Sequence, residues 1–212
     1  MLRSATIAAA LGLSGAAVVN DSVPFLPGLE QALPSALYSG YMEPSRGHFL
    51  HYIFMESWND PATDPVIVWM NGGPGSSSMG GLFTELGPFV TSDESFPNGP
   101  DTGPYTVKLN PYTWNANASV IYLEQPAGVG FSYCNPASPC AFNDATQADD
   151  TFAFLEKFFE GFPEFKDNEF YLTAESYGGV CECDLVCCRA VGGGGSLARL
   201  LTHTRWLRSD RS

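Results

Sequence analysis

The middle of the chain alternates short apolar runs with turn-forming residues. Residues 38–42 and 48–55 are rich in aromatic and aliphatic side chains and predict two strands, with a turn at 43–47 between them. Residues 65–70 and 120–124 are almost wholly apolar and show no alternation. Runs of this kind are typical of strands that are covered on both faces, as in a parallel sheet between layers of helices.

Two helices are predicted between these strands. Residues 79–86 predict a short helix that carries Glu85. Residues 144–160 predict the longest helix, because Asn143 or Asp144 can cap its start and a glycine and a proline follow its end. Its apolar stripe is expected in the core and consists of Ala148, Phe152, Leu155, Phe158 and Phe159.

The order of these segments predicts the fold class. Strand, loop, strand, helix and strand follow one another, and the polar residues 91–109 predict a surface loop. This order favours an α/β fold with a mainly parallel central sheet.

Length and charge narrow the class of protein. The chain has 212 residues, enough for one domain with a sizeable core, and its formal net charge is −13. Nucleic acid binding requires clustered Lys and Arg, so no nucleic acid partner is predicted. The charge is uneven, since residues 181–212 carry five of the ten basic residues and only three of the 23 acidic ones.

The first residues predict export from the cytosol. Residues 1–19 resemble a secretory signal peptide, because Arg3 precedes an apolar run that ends in small residues; a buried N-terminal helix is the alternative. No apolar run approaches the length of about 20 residues that spans a membrane. In an oxidising compartment Cys134 and Cys140 are candidates for a local disulfide. Sequons at Asn20 and Asn117 are candidate glycosylation sites.

A serine follows the last predicted strand. Residues 170–172 are apolar, and Ser176 comes after them in the pattern x-x-Ser-x-Gly, with Gly178 at serine plus two. The pattern is close to the nucleophile elbow, in which a strand turns sharply into a helix and exposes the serine hydroxyl. Ala174 stands where that motif usually has glycine, which predicts slight strain, and an ordinary turn serine is the alternative.

A glycine-rich loop follows the first buried strand. Residues 71–78 read Asn-Gly-Gly-Pro-Gly-Ser-Ser-Ser and allow close approach of the backbone to a ligand. Phosphate binding is one interpretation, although the lysine of a P-loop is missing. The other is a loop that donates a backbone N–H to an oxyanion, which an elbow serine requires.

These motifs belong to a longer resemblance. Blocks at 69–77, 83–89, 110–115, 124–133 and 175–179 resemble the serine carboxypeptidases, in order, within residues 26–179. The resemblance implies the α/β-hydrolase fold, here incomplete, over residues 20–180. It also implies a serine-type carboxypeptidase that removes C-terminal residues from peptides through an acyl-enzyme intermediate, with no cofactor.

The resemblance assigns roles to residues of the two motifs. Ser176 would be the nucleophile, and the backbone N–H groups of Gly73 and Tyr177 would hold the oxyanion. The free carboxylate of the substrate would be bound by Asn71, Glu85 and Glu175. Because carboxylates repel one another unless they share a proton, activity at acidic pH is expected, in a vacuole, a lysosome or an acidic secretion.

The resemblance stops after Val180. The aspartate and histidine of the family lie far downstream of the nucleophile, so we expect this chain to lack turnover and to fold poorly. His203 and Asp210 could be imagined in those roles, but the residues around His203 do not resemble the family's histidine turn. The change of composition at residue 181 is interpreted as a frame shift, an unspliced segment or a premature end.

No metal site is predicted. Cys181, Cys183, Cys187 and Cys188 do not have a recognised zinc spacing. His48 and His51 differ by three positions, so on a strand they point to opposite faces, and both are interpreted as structural.

Three other functions fit the same residues. An acyltransferase would use Ser176 to accept an acyl group, and a lipase or esterase would use the same fold. A lipase or esterase is disfavoured because Asn71, Glu85 and Glu175 suit a free acid. The third alternative is a non-catalytic fragment that binds peptide acids without turnover.

Overall fold

The computed structural model of the chain describes residues 21–99 and 102–180. Its strands are Leu37–Met42 (β1), His48–Met55 (β2), Val66–Met70 (β3), Phe89–Val90 (β4), Lys108–Leu109 (β5), Ser119–Leu123 (β6), Tyr133–Cys134 (β7) and Phe170–Ala174 (β8). Its α-helices are Met79–Thr84 (α1) and Asp144–Gly161 (α2). The predicted signal peptide at 1–19 and the tail at 181–212 lie outside the described residues.

One mixed sheet organises this part of the chain. Its strand order is β1-β2-β6-β3-β8, and β7 pairs with β2 beside this path. β3 runs parallel to both β6 and β8, whereas β2 runs antiparallel to β1 and β6. The α/β class is confirmed, and the parallel pairing lies in the half of the sheet that carries the predicted motifs.

Both faces of the sheet are covered. Every residue of β3 and β6 is buried, as their unbroken apolar runs predict. Val66, Val68 and Met70 pack with α2, and Ile67 and Trp69 pack on the opposite face, where the α1 residue Leu82 also lies. The core on the α2 face includes the buried aromatic residues Phe154, Phe158, Phe159, Phe162 and Phe165. Of the predicted stripe of α2, Ala148, Leu155, Phe158 and Phe159 are buried in the core, whereas Phe152 is partly buried and packs against it.

Helix α1 is shorter than the sequence predicts. It ends at Thr84, so Glu85 is its C-cap, with φ −125° and ψ −102°, and is not part of the helix. The backbone then folds back, because Gly87 N donates to Gly81 O at 2.8 Å. A side chain at Gly87 would collide with the Leu82 carbonyl, so glycine is needed for this turn. This turn of the backbone ends the helix before residue 86.

The polar segment 91–109 contains more regular structure than predicted. A 3-10 turn covers Asp93–Ser95, and β5 pairs with β4 in a separate two-stranded sheet. In the loop before α2, Cys134 and Cys140 form a disulfide with their Cα atoms 5.7 Å apart. Asn117 is exposed. Within residues 21–99 and 102–180, no helix has both the length and the apolar character that a bilayer span requires.

Candidate active site

The turn after β8 holds Ser176 in an unusual backbone conformation. Ser176 has φ 52°, and no other non-glycine residue in the described part of the chain has a positive φ. Its side chain is exposed at the strand's carboxyl end. Helical hydrogen bonds begin at once, with Gly179 N donating to Ser176 O at 3.1 Å and Val180 N to Tyr177 O at 3.0 Å. This is the strand-turn-helix geometry of a nucleophile elbow.

Close packing around the elbow explains its small residues. A Cβ atom at Gly178 would lie 2.7 Å from the Cβ of Ala174 and 2.9 Å from Met70 O, both too close for a real side chain. Because Gly178 has no side chain, it leaves room for the methyl group of Ala174 on the strand. The backbone strain is seen at Ser176 itself, where a left-handed φ costs about 1–3 kcal/mol.

The glycine loop lies directly against the elbow. β3 and β8 are adjacent and parallel, with Met70 opposite Ala174, so the two segments that follow them leave the same edge of the sheet. A Cβ atom at Gly72 would lie 2.7 Å from Glu175 O and 2.9 Å from the Cβ of Ser176. Only glycine fits between the two segments at this point.

Asn71 links the two motifs through its side-chain amide. Asn71 Nδ2 donates to Glu85 Oε1 at 3.1 Å and to Glu175 Oε1 at 2.9 Å. Its Oδ1 accepts from Trp69 Nε1 at 2.9 Å and from Gly81 N at 3.0 Å. The structure thus brings together the three residues that the resemblance assigns to the substrate carboxylate, beside the elbow.

The electrostatics of this cluster favour a proton on Glu85. Loss of hydration by partial burial raises the pKa of Glu85, and the negative charge of Glu175 adds to the rise. The hydrogen bond from Asn71 acts in the opposite direction but does not cancel it. A cluster of this kind can present a protonated carboxyl to an anionic ligand.

A buried acid, Glu124, lies beside the glycine loop and accepts a hydrogen bond from it. Glu124 is completely buried at the end of β6, where its carboxylate accepts from Ser77 Oγ and from Phe131 N at 2.9 Å. His51 Nδ1 lies 2.9 Å from the same carboxylate. Burial acts to raise the pKa of Glu124, but these hydrogen bonds outweigh it and hold the pKa below its ordinary value.

Sequence reasoning assigned no role to Glu124. The signal present in the sequence is an acid placed directly after a fully apolar run, followed by Gly130 and Ser132. A side chain at Gly130, whose φ is 55°, would overlap the Glu124 carboxylate. Ser132 Oγ donates to Glu124 O at 2.6 Å. Gly130 therefore leaves room for the Glu124 carboxylate, and Ser132 holds the main-chain carbonyl of the same residue.

The two described histidines are tied to acids on the β2 side of the sheet. His48 Nδ1 lies 2.7 Å from Asp150 Oδ2, and His51 contacts Glu124 and, through Nε2, the Ser39 hydroxyl at 3.0 Å. Neither histidine is hydrogen-bonded to Ser176 in the part of the chain that the structure describes. His203 and Asp210 lie outside the described residues.

A cavity of about 450 Å³ opens beside the elbow. Its walls come from the tip of the glycine loop, the turn after β6, the start of α2, and Tyr177. The Tyr177 hydroxyl donates to Asp144 Oδ1 at 3.0 Å. Among residues 21–99 and 102–180, no cluster of His, Cys, Asp and Glu could hold a metal ion. The four cysteines from 181 to 188 lie outside the described residues.

Comparison with known proteins agrees with this geometry. The family model described as "Serine carboxypeptidase" matches residues 27–186, which extends past residue 180. The mouse (Mus musculus) lysosomal protective protein is 46% identical over 165 residues, which cover 78% of this chain and 33% of that protein. Serine carboxypeptidase-like 20 of Arabidopsis thaliana is 44% identical over 171 residues, covering 77% of this chain and 34% of that protein.

A solved structure shows the same fold. Kex1(delta)p, a prohormone-processing carboxypeptidase from Saccharomyces cerevisiae, superposes with a TM-score of 0.59 and 24% sequence identity, over 73% of this chain and 34% of that chain. The chain spans about a third of the length of the relatives it matches. Since the family model covers most of the chain, including both motifs and the acids between them, the chain belongs to the serine carboxypeptidase family.

Proposed function

We propose that this chain carries the nucleophile and the substrate-carboxylate site of a serine-type carboxypeptidase. The observation that supports this most is the contact of the strained Ser176 turn with Gly72, next to the Asn71 amide and its two glutamates. Ser176 is the nucleophile in this proposal. Asn71, Glu85 and Glu175 bind the free carboxylate of a peptide, which limits cleavage to the last peptide bond.

The reaction proceeds by acyl transfer. Ser176 Oγ loses its proton to a general base and attacks the last peptide carbonyl, and the backbone N–H groups of Gly73 and Tyr177 stabilise the oxyanion. The C–N bond then breaks, the base returns the proton to the leaving amine, and the C-terminal amino acid departs. Water hydrolyses the remaining ester of Ser176. The general base belongs to a part of the protein outside the described residues.

The compartment of the protein is a second part of the proposal. We propose that it enters the secretory pathway through the signal peptide at 1–19 and acts in a lysosome, a vacuole or an acidic secretion. The disulfide between Cys134 and Cys140 and the exposure of Asn117 are compatible with export and glycosylation. The name of the lysosomal protective protein supports the same class of compartment.

Turnover is tested by joining this chain to the remainder of a relative's domain. A chimera joins residues 1–186 to the continuation of the mouse lysosomal protective protein, and release of the last residue from a blocked dipeptide is measured. We expect release by the chimera, a loss of at least about 1,000-fold in Ser176→Ala, and none by the 212-residue chain. Equal release by the chimera and its Ser176→Ala variant would refute the nucleophile. Release by the 212-residue chain, lost in Ser176→Ala, would refute its predicted inactivity.

Recognition of the carboxylate is tested by equilibrium binding to the Ser176→Ala variant of the chimera, which cannot hydrolyse the peptide in this proposal. Blocked dipeptides with a free C-terminus are expected to bind more tightly than the same peptides as C-terminal amides. Because the pKa of Glu85 is raised, its proton is present at acidic pH and is lost as the pH rises through that pKa. Affinity for the acid should therefore fall with rising pH, and Glu85→Gln should remove most of that fall. Equal binding of acid and amide would contradict the assigned site.

A further inference from the structure

Three polar side chains from neighbouring strands form one line of hydrogen bonds. Ser39 lies on β1, His51 lies on β2, and Glu124 comes directly after β6. His51 Nδ1 lies 2.9 Å from Glu124 Oε2, and His51 Nε2 lies 3.0 Å from Ser39 Oγ. The acid and the hydroxyl therefore contact opposite nitrogens of one imidazole. In this order of groups a histidine can take a proton from a serine while an acid orients the ring.

The surroundings of Glu124 set the direction of these hydrogen bonds. Burial acts to raise the pKa of Glu124, but its hydrogen bonds outweigh burial and lower that pKa. An ionised carboxylate can only accept, so the proton of the neutral imidazole is on Nδ1. Nε2 is then an acceptor, and the Ser39 hydroxyl donates to it. The Ser39 hydroxyl is thus in contact with a base that can receive its proton.

The second described histidine lacks this arrangement. His48 Nδ1 lies 2.7 Å from Asp150 Oδ2 and 2.9 Å from Ser45 Oγ, so the acid and the hydroxyl share one ring nitrogen. When that nitrogen carries its proton for the carboxylate, it cannot accept a proton from Ser45. Ser39 and Ser45 are both partly exposed. Ser45 is therefore a matched control for Ser39 within the same chain.

Two exposed aromatic rings lie against the imidazole of His51. The ring centroids of Tyr41 and Phe131 are 5.2 and 5.3 Å from that of His51. Tyr41 is 46% exposed and Phe131 is 64% exposed, and the Tyr41 hydroxyl donates to Phe131 O at 3.2 Å. Exposed rings offer apolar surface against which another aromatic group can pack. A ligand with an aromatic group would therefore be held close to the base.

We propose that Ser39 is a second nucleophile of this chain, which His51 activates as a base and Glu124 orients through His51, and that it accepts an acyl group from an aryl ester. Ser39 Oγ attacks the ester carbonyl, and its proton passes to His51 Nε2. A bond forms between Oγ and the acyl carbon, the bond from that carbon to the aryl oxygen breaks, and a phenolate leaves. The proton then passes from Nε2 to the phenolate or to water. This activity goes beyond the carboxypeptidase scheme and does not depend on it.

The test follows acetylation by p-nitrophenyl acetate in the full 212-residue chain and in the chimera. Both carry Ser176→Ala, so the elbow serine cannot react, and mass spectrometry of peptides locates the acetyl group. We expect Ser39 to be acetylated at least about 100-fold faster than Ser45, which is the lower end of what a positioned base contributes. His51→Gln should remove this advantage, whereas His48→Gln should leave it unchanged. Equal rates at Ser39 and Ser45, or a rate at Ser39 that His51→Gln does not change, would overturn the proposal.

A second pair of variants tests the base without an ester. Ser39→Cys and Ser45→Cys place a thiol at each position, and alkylation of that thiol by iodoacetamide at pH 7 is measured by mass spectrometry. An imidazole that takes the thiol proton increases the thiolate fraction, so the thiol at position 39 should react about tenfold faster than the thiol at position 45. Equal rates would contradict activation by His51.

The preference for an aromatic group is tested with Phe131→Ala. The control is Phe25→Ala, because Phe25 is 68% exposed, similar to Phe131, and is not one of the rings in contact with His51. At ester concentrations below saturation, Phe131→Ala should slow acetylation of Ser39 about fivefold, as for the loss of one aromatic contact. Phe25→Ala should leave the rate unchanged. Equal effects of the two variants would refute a role of the aromatic rings.

The two proposals fail in different ways. Acetylation of Ser39 in a chimera that releases no C-terminal residue would refute the carboxypeptidase function alone. Release of C-terminal residues by the chimera, without acetylation of Ser39 in its Ser176→Ala form, would refute the second nucleophile alone.

Discussion

The side chain of Asn71 connects three parts of the molecule at the level of a single residue. Its oxygen accepts from the Trp69 indole and the Gly81 backbone, and its nitrogen donates to Glu85 and Glu175. Both hydrogens and both acceptor positions of the amide are in use, so the orientation of the group is fixed by its partners. Asn71 is buried, which makes the loss of any of these bonds costly.

Asn71→Ala is expected to destabilise the protein by about 2–4 kcal/mol. The substitution leaves the Trp69 indole N–H and the Gly81 N–H without this acceptor, and an unpaired buried donor costs about 1–3 kcal/mol. Urea unfolding measures the loss. The control is Asn98→Ala, because Asn98 is exposed and its amide makes one hydrogen bond, to Gly103 O at 3.2 Å. Equal losses for the two variants would contradict the role of Asn71.

At the level of elements, the carboxyl ends of β3 and β8 control the site. The strands are neighbours in register, and the chains that follow them touch at Gly72 and at Gly178. Two glycines are needed here because each faces backbone atoms of the other segment within 3 Å. The position of Ser176 relative to the glycine loop is thus set by backbone contacts.

Gly178→Ala is expected to cost about 1–3 kcal/mol, because its Cβ would meet Ala174 Cβ at 2.7 Å and Met70 O at 2.9 Å. The neighbouring Gly179→Ala is the control, since a Cβ there meets no atom of the described residues within 4 Å. Denaturant unfolding of both variants should show a loss only for Gly178→Ala. Adding Ala174→Gly should restore part of the stability, and no restoration would show that the clash lies with Met70 O alone.

The turn after β6 makes a second prediction at this scale. Gly130→Ala would push a methyl group into the Glu124 carboxylate and displace it from Ser77 and His51. The matched control is Gly99→Ala, where φ is also positive, at 89°, but a Cβ would meet no atom of residues 21–99 and 102–180 within 4 Å. We expect Gly99→Ala to lower the free energy of unfolding by about 1–2 kcal/mol, from backbone strain alone. Gly130→Ala should lower the free energy of unfolding by at least about 2 kcal/mol more than Gly99→Ala does. Equal losses would show that the Glu124 side chain can move aside without losing its hydrogen bonds.

The net charge of the whole molecule acts on its stability. The formal net charge is −13, so the acidic side chains repel one another in the compact state. Residues 1–180 carry most of these acids. Few cations compensate on the surface, and Lys108 with Glu94 is the one lysine–carboxylate pair among the described residues.

Raising NaCl from 20 to 300 mM is therefore expected to increase the urea midpoint of unfolding at pH 7, since salt screens like-charge repulsion. The same change near pH 4.5, where many carboxylates are protonated, should have a much smaller effect. An equal increase at both pH values would show that salt acts through a mechanism other than screening.

Periodicity and turn residues predicted most of the fold. Local sequence predicted the longer elements because their pattern of apolar and polar residues agrees with their burial. These elements are the strands β1, β2, β3, β6 and β8 and the helix α2. The end of α1 was not, because Glu85 leaves the helix where Gly87 folds back onto Leu82. The pairing of β4 with β5 could not be predicted either. It depends on contacts between residues distant in sequence, and a strand of two residues has no local pattern of its own.

The sequence by itself determined the fold class and the family and placed a candidate nucleophile, Ser176, because each depends on residue types at fixed local spacing. Only the tertiary structure decided how these parts meet. It brought Asn71, Glu85 and Glu175 into one hydrogen-bonded cluster, buried Glu124 beside the glycine loop, and opened a cavity beside Tyr177. These features join residues up to 104 positions apart, so they depend on strand order and packing, which local spacing does not encode.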